Sequence, residues 1–279
     1  MHHDRDPHHR TKLSIALLLL CSVCFGGLVR GEELGKNEFL GERRVFSVLD
    51  FGAKGDGVTK DTKAINNAIR AAANRGSVYF PSNRLYLTGS LTILSHTTLF
   101  IDANATILGS PDRDDFPLIP ALPSYGEGKK GGSTRRRSLI FGENVSDVWI
   151  TGTNGTIDGN GHVWWENKIK GDTPPHLIEC VRCENLVLSN LTLTNSPFWT
   201  VHPVYTVGFH AHHLWILNPT NVSNTDGIDP DSTSNVLIHN VYIRTGDDGI
   251  AIKSGWDEYG YEYGVRSVRA RSARISIKS

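Results

Sequence analysis

The sequence predicts an all-β solenoid with one capping helix at its N-terminal end. Three observations predict it. Past Ser77 the apolar residues come in short β-rich runs bounded by Gly, Ser, Asn and Asp. From Ser138 an imperfect repeat appears, with strand starts at Val148, Leu186, Leu214 and Val236 spaced 38, 28 and 22 residues apart. Helical periodicity is clear in only one stretch, Asp61 to Ala72. With 39% hydrophobic and 21% charged residues in 279, the chain can bury a sizeable core. An antiparallel β-sandwich is the competing architecture. The recurrence of Asn at equivalent turns favours stacked coils, in which such side chains align into ladders.

Taken in order, residues 1–27 read as a secretory signal peptide. A His- and Arg-rich start leads into the apolar run LSIALLLLCSVCF (13–25) and a Gly26-Gly27 exit. Thirteen apolar residues are too few to span a bilayer. A linker over 28–44 follows. The turn-rich DFGAKGDG (50–57) precedes a helix that Asp61 or Thr62 can cap, with Ala64, Ile65, Ala68, Ile69 and Ala72 on one face and Asn74 to Gly76 as the stop. Short strands follow around Tyr79, Tyr86, Thr92, Phe100 and Ile107. Residues 109–138 form a loop whose Lys129-Lys130 and Arg135-Arg136-Arg137 are expected to be solvated; contact with an acidic ligand is the alternative. The repeat then runs through NVSDVWITG (144–152), NLVLSNLTLTN (185–195), HLWILNPTN (213–221) and NVLIHNVYI (235–243).

Charge divides the chain into unlike segments. Lys+Arg and Asp+Glu both total 29, which argues against a nucleic-acid binder. Residues 31–260 carry 20 basic and 26 acidic residues; residues 261–279 carry five basic and one acidic. That Ser- and Arg-rich tail contrasts with the body and is expected to lie outside the fold. Cys180 and Cys183 read as buried small hydrophobes, with a bridge possible only if the chain turns between them. Five Asn-x-Ser/Thr acceptor patterns occur, at Asn104, Asn144, Asn154, Asn190 and Asn221.

The chemistry is expected in two acidic motifs, NTDGIDPDS (224–232) and GDDGIAIKSG (246–255). Asp226 precedes Asp247 and Asp248 by 21 and 22 residues, about one coil. Coils stack at about 4.8 Å, so these carboxylates should fall side by side. Repulsion then keeps a proton on one of them while an ionised neighbour activates water. Two carboxylates so placed suit glycoside hydrolysis, with inversion at a separation of roughly 6.5–9.5 Å. Gly227, Gly246 and Gly249 allow close approach of a ligand. Two other readings stay open. Asp226, Asp229, Asp231, Asp247 and Asp248 could hold a hard cation such as calcium, or could be structural turn carboxylates.

Together with TIDGNGHVWW (156–165) and NSPFWTVHP (195–203), these motifs make residues 45–260 resemble glycoside hydrolase family 28, the polygalacturonases, in its plant-like branch. The resemblance implies a right-handed parallel β-helix and inverting hydrolysis of α-1,4-galacturonosyl bonds in pectin, with no cofactor and no metal. It assigns the general acid to Asp247, water activation to Asp226 and Asp248, and substrate contacts to Asn224 and Lys253. Trp164, Trp165 and Trp199 read as packing residues, and His202, His210, His212 and His213 as turn or core residues that are not expected to bind copper or zinc. The expected partner is pectin or polygalacturonate, outside the cell or in its wall, with the protein a monomer bound neither to nucleic acid nor, once the signal is removed, to membrane. The family's later Gly-rich, His-bearing segment and Arg-x-Lys motif find no match here. The C-terminal coils are therefore expected to be missing through truncation or an altered tail, leaving an open edge and weak or no turnover. A non-catalytic carbohydrate-binding β-helix and a calcium-dependent pectate lyase are the alternatives.

Overall fold

The computed structural model describes residues 44–126, 134–166 and 173–278. The signal segment, nearly all of the linker and Lys129-Lys130 lie outside the described residues. The described chain is a right-handed parallel β-helix with three sheet faces. One face runs through Val45–Ser47, Ser77–Phe80, Thr98–Ile101 and Ser146–Gly152. A second runs through Asp56–Lys60, Arg84–Thr88, Ala105–Gly109 and Gly155–Asp158. The long strand Glu184–Thr194 joins both, its first half pairing Ser146–Gly152 and its second half Gly155–Asp158. Strands Val207–Leu217, Ser234–Arg244 and Val268–Lys278 stack on it in turn. The third face is Leu91–Thr92, Ile140–Glu143, Ile178–Val181 and Val201–Val204, extended by single bridges at Ile228, Asp231, Ile250 and Lys253.

The interior is built by alternation. Leu186, Leu188, Leu191 and Leu193 are buried, and in register above them lie Phe209, Ala211, Leu214 and Ile216, then Val236, Ile238, Val241 and Ile243. Period-two patterning sends these side chains inward and their neighbours outward. The bends that split each long strand between two faces need a left-handed residue. Asn190, His213 and Asn240 occupy one such column at φ 54°, 51° and 52°. Asn185, Gly208 and Asn235 occupy the other at φ 56°, 78° and 58°. Asn tolerates this conformation better than other side-chain-bearing residues, which accounts for its recurrence. The registers correct one alignment: Leu186 pairs with Phe209, while Leu214 pairs with Leu191 and Val241 on the next face.

The helix Thr62–Ala72 closes the N-terminal end, burying Ile65, Ala68, Ile69 and Ala72. Asp61 stands at its N-cap but does not cap it. Its carboxylate instead accepts from the Lys54 and Gly55 N–H groups at 2.7 and 2.9 Å, tying the turn-rich segment to the helix start. Asn74 and Arg75, at φ 72° and 79°, carry the chain away from it.

Three expectations are corrected. The basic tail does not lie outside the fold: Val268–Lys278 pairs along its length with Ser234–Arg244, with Ala270, Ser272, Ile275 and Ile277 above Val236, Ile238, Val241 and Ile243. Its bends are Arg269 and Arg274, at φ 55° and 52°, in register with the Asn columns. Cys180 and Cys183 form a disulfide, at a Cα separation of 5.9 Å. The intervening Arg182 adopts φ 54°, so the chain turns where straight extension would hold the sulfurs apart. The arginines of the 109–138 loop are half-buried and engaged. Arg135 pairs with Glu179, Arg136 donates to the Arg113 and Phe116 carbonyls, and Arg137 donates to Thr92 Oγ1.

Candidate active site

The two acidic motifs meet on adjacent coils where the chain enters the third face. Ile228 bridges Ile250 and Asp231 bridges Lys253, each across 22 residues. The interval inferred from Asp226 to Asp248 is therefore one coil, set by this face and not by the Leu214 to Val236 spacing. Gly227 N–H donates to the Asp248 carbonyl at 2.9 Å, and Thr200 N–H donates to the Asp226 carbonyl at 2.8 Å. Asp226 is thus clamped between the coils on either side. A Cβ at Gly227 would meet the Gly249 carbonyl at 2.4 Å, and one at Gly246 the Val222 carbonyl at 2.1 Å. These glycines admit a neighbouring stretch of backbone, where a ligand had been expected.

Asp226, Asp247 and Asp248 come together as expected: one carboxylate oxygen from each lies within 4.8 Å of the others. Asp226 is 4% exposed, while Asp247 and Asp248 face solvent. The expected wider opening is not found between these oxygens. A gap of this size still admits one water, because two O–H···O bonds span up to about 5.5 Å. Asp247 accepts from Asn224 N–H at 2.8 Å through one oxygen and from its neighbour Asp248 N–H at 3.0 Å through the other. Asn224, at φ 59°, thus serves the site through its backbone.

Lys253 is neither free nor solvent-facing. Its Nζ lies 3.5 Å from Asp226 Oδ2 and 3.2 Å from Asp229 Oδ1, and 4.1 Å from the Trp199 ring centre. Burial pushes Asp226 above the usual carboxylate range; Lys253 opposes the shift and Asp247 adds to it. Asp229 is fully buried and, through burial and then Asp226, is held well above that range. Its oxygens make no aligned hydrogen bond, so Lys253 acts on it chiefly through charge. Trp199 belongs to the site's wall, whereas Trp164 is core, 1% exposed and edge-on to Phe116.

Beneath the carboxylates lies a group in which the sequence assigns no function to Glu179, Tyr125 or His202, while Asp231 and Arg135 are its candidates for cation and acidic-ligand contact. His202, 1% exposed, places Nδ1 3.0 Å from Glu179 Oε1 and Nε2 3.4 Å from Asp231 Oδ2. Arg135 pairs with the other Glu179 oxygen, and Tyr125 OH donates to Asp231 at 2.5 Å. Burial alone would strip the proton from His202, but its bonds to Asp231 and Glu179 raise it to about 9. Burial likewise opposes ionisation of Glu179, yet Arg135 and His202 hold it down to about 2. The result is a buried, charge-compensated network. Its available signal was His202 within NSPFWTVHP, but Val201, His202, Pro203 and Val204 are all buried, so alternation gave no clue.

Among the described residues, two groups already bring one donor atom from each of three residues within 4.8 Å, close enough for a metal ion: Asp226, Asp247 and Asp248, and His176, Glu179 and His202. In the second, Arg135 and His202 already engage the Glu179 oxygens. In the first, Lys253 already brings a positive charge to Asp226. The hard-cation reading is thereby weakened relative to acid–base work.

Comparison with known proteins places this geometry. Residues 83–261 match the family model described as glycosyl hydrolases family 28. The chain is 44% identical over 276 residues to a probable polygalacturonase of Vitis vinifera, covering 95% of this chain and 56% of that protein. It is 35% identical over 209 residues to an endo-polygalacturonase of Pectobacterium parmentieri, covering 69% and 50%. Among solved structures, an exopolygalacturonase from Thermotoga maritima superposes with a TM-score of 0.69 at 25% identity, over 85% of this chain and 63% of that one. A polygalacturonase from Erwinia carotovora gives 0.64 at 28% identity, over 84% and 61%. The chain spans about half the length of the curated relatives it matches. With the family model matched over more than half of its residues, the chain belongs to glycosyl hydrolases family 28.

Proposed function

We propose that this protein hydrolyses galacturonosyl bonds of pectin, with Asp226, Asp247 and Asp248 as the reacting carboxylates. The observation that carries the reading is their convergence within 4.8 Å on adjacent coils of a family 28 fold. Asp247 protonates the leaving oxygen. Asp226 and Asp248 hold and deprotonate the attacking water, which gives inversion if the water lies opposite the leaving group. A raised carboxylate is the stronger base, and Lys253 keeps Asp226 ionised long enough to act. Asn224 orients Asp247 through its N–H. Lys253 at the cleft margin adds positive charge toward an anionic sugar.

We also infer secretion to the extracellular space or cell wall. The 1–27 reading supports it, as does the Cys180–Cys183 disulfide, which belongs in an oxidising compartment. All five acceptor asparagines are exposed, which suits glycosylation. Four of them also serve as left-handed turns, so the fold supplies a second reason for their presence. No described helix is long and apolar enough to cross a membrane.

The test is incubation of the chain with polygalacturonate, following reducing ends and ultraviolet absorbance together. Reducing ends without an absorbing product support hydrolysis. An absorbing product that a chelator abolishes means a lyase. Binding without either product means a carbohydrate-binding β-helix.

A further inference from the structure

A second polar cluster lies on a different face from the carboxylates. His210 and His212 alternate with the buried Phe209 and Ala211, so both imidazoles stand on the outer side of strand Val207–Leu217. His239 is the register partner of His212 on the next strand. Its own partner on the last strand is Ala273, too small to cover it. The ring centres of the three are 4.5 Å (His210–His212), 5.0 Å (His210–His239) and 5.3 Å (His212–His239) apart. His210 Nε2 and His239 Nε2 approach to 2.9 Å.

These spacings match a coordination geometry. Zinc–imidazole bonds of about 2.0–2.1 Å in tetrahedral array put nitrogens about 3.3 Å apart and ring centres about 5 Å apart. His212 turns Nδ1 toward Nδ1 of the exposed His213, at 2.8 Å, and its ring stacks on that of His239, so its ring must turn before the three donors converge. Packed imidazoles also resist protonation: burial and then neighbouring rings hold His212 down at about 4, and His210 shifts the same way. Neutral imidazole is the metal-binding form.

We propose that His210, His212 and His239 form a binding site for a borderline divalent transition ion, with zinc as the representative, leaving one coordination position to water. Such an ion ties strand Val207–Leu217 to Ser234–Arg244 across the outer face. The donor set is all-nitrogen, which selects zinc, copper or nickel over calcium or magnesium.

Zinc alone is the probe, competed against a chromophoric chelator with the full chain. Losing even an outer-shell partner of a metal site costs 10–100-fold in affinity. The double variant His210→Gln/His239→Gln is therefore expected to bind at least about 100-fold more weakly than the parent. A variant with His2, His3, His8 and His9 all changed to Gln is expected to bind as the parent does. Unchanged affinity in His210→Gln/His239→Gln overturns the proposal, as does loss confined to the N-terminal variant. If the double variant does not fold, a zinc-soaked crystal of the parent decides. An anomalous peak at bonding distance from the three rings supports the site, and its absence there overturns it.

Discussion

Two groups of acids, Glu179 with Asp231 and Asp226 with Asp247 and Asp248, lie on neighbouring coils, and the 226–231 segment contributes to both. The first pair is buried and fully answered: Arg135, His202 and Tyr125 supply cations and donors to its oxygens. Among the described residues the second group has a single cation, Lys253, reaching only Asp226, while Asp247 and Asp248 face water. Compensated charge holds a coil in place. Uncompensated charge is retained at a cost in repulsion, and here the cost falls where a water and a glycosidic oxygen would meet.

Mutations at the two groups should therefore fail in different ways. Asp226→Asn removes the proposed base and is expected to lower kcat by about 10²–10⁴-fold, read as reducing-end release, while the unfolding transition stays cooperative. His202→Gln leaves buried Asp231 without its cation and Glu179 with Arg135 alone, and is expected to cost about 3–5 kcal/mol of stability, read from denaturant midpoints. The same network carries a pH signature. The His202 contribution is fully present below the ordinary histidine value and is lost as pH rises through about 9. The Glu179 contribution is present above the ordinary carboxylate value and is lost as pH falls through about 2. Lys253→Met withdraws the charge that holds Asp226 down, so the acidic limb of the pH–rate profile is expected to move up by about 1–3 units. The smallest effect concerns the last strand: Arg274→Asn relieves a left-handed arginine and is expected to stabilise by about 1 kcal/mol.

The arginine example shows what the sequence could and could not convey. The solenoid was legible because Asn marks the bends and Leu or Val marks the interior through residues 185–243. In Val268–Lys278 the same positions hold Arg269 and Arg274 at the bends and Ala270 and Ser272, both exposed, in register with Val236 and Ile238. Composition pointed away from the fold, although Ile275 and Ile277 kept the alternation. The three aspartates were legible because one coil separates two Asp-Gly motifs. Their buried supports were not, because Glu179 and His202 come from coils 23 residues apart and meet only through the register of Glu179 with His202. The disulfide was missed because a left-handed Arg182 cannot be foreseen from Cys-x-x-Cys alone.

The most direct test of this division is polygalacturonate hydrolysis by the Asp247→Asn chain, scored together with its unfolding midpoint. Asp247 is exposed and sits among like charges, so the account predicts a loss of reducing-end release of about 10²–10⁴-fold at an unchanged or higher midpoint. Hydrolysis within a few-fold of the parent, or a loss that follows from a fallen midpoint, would contradict it.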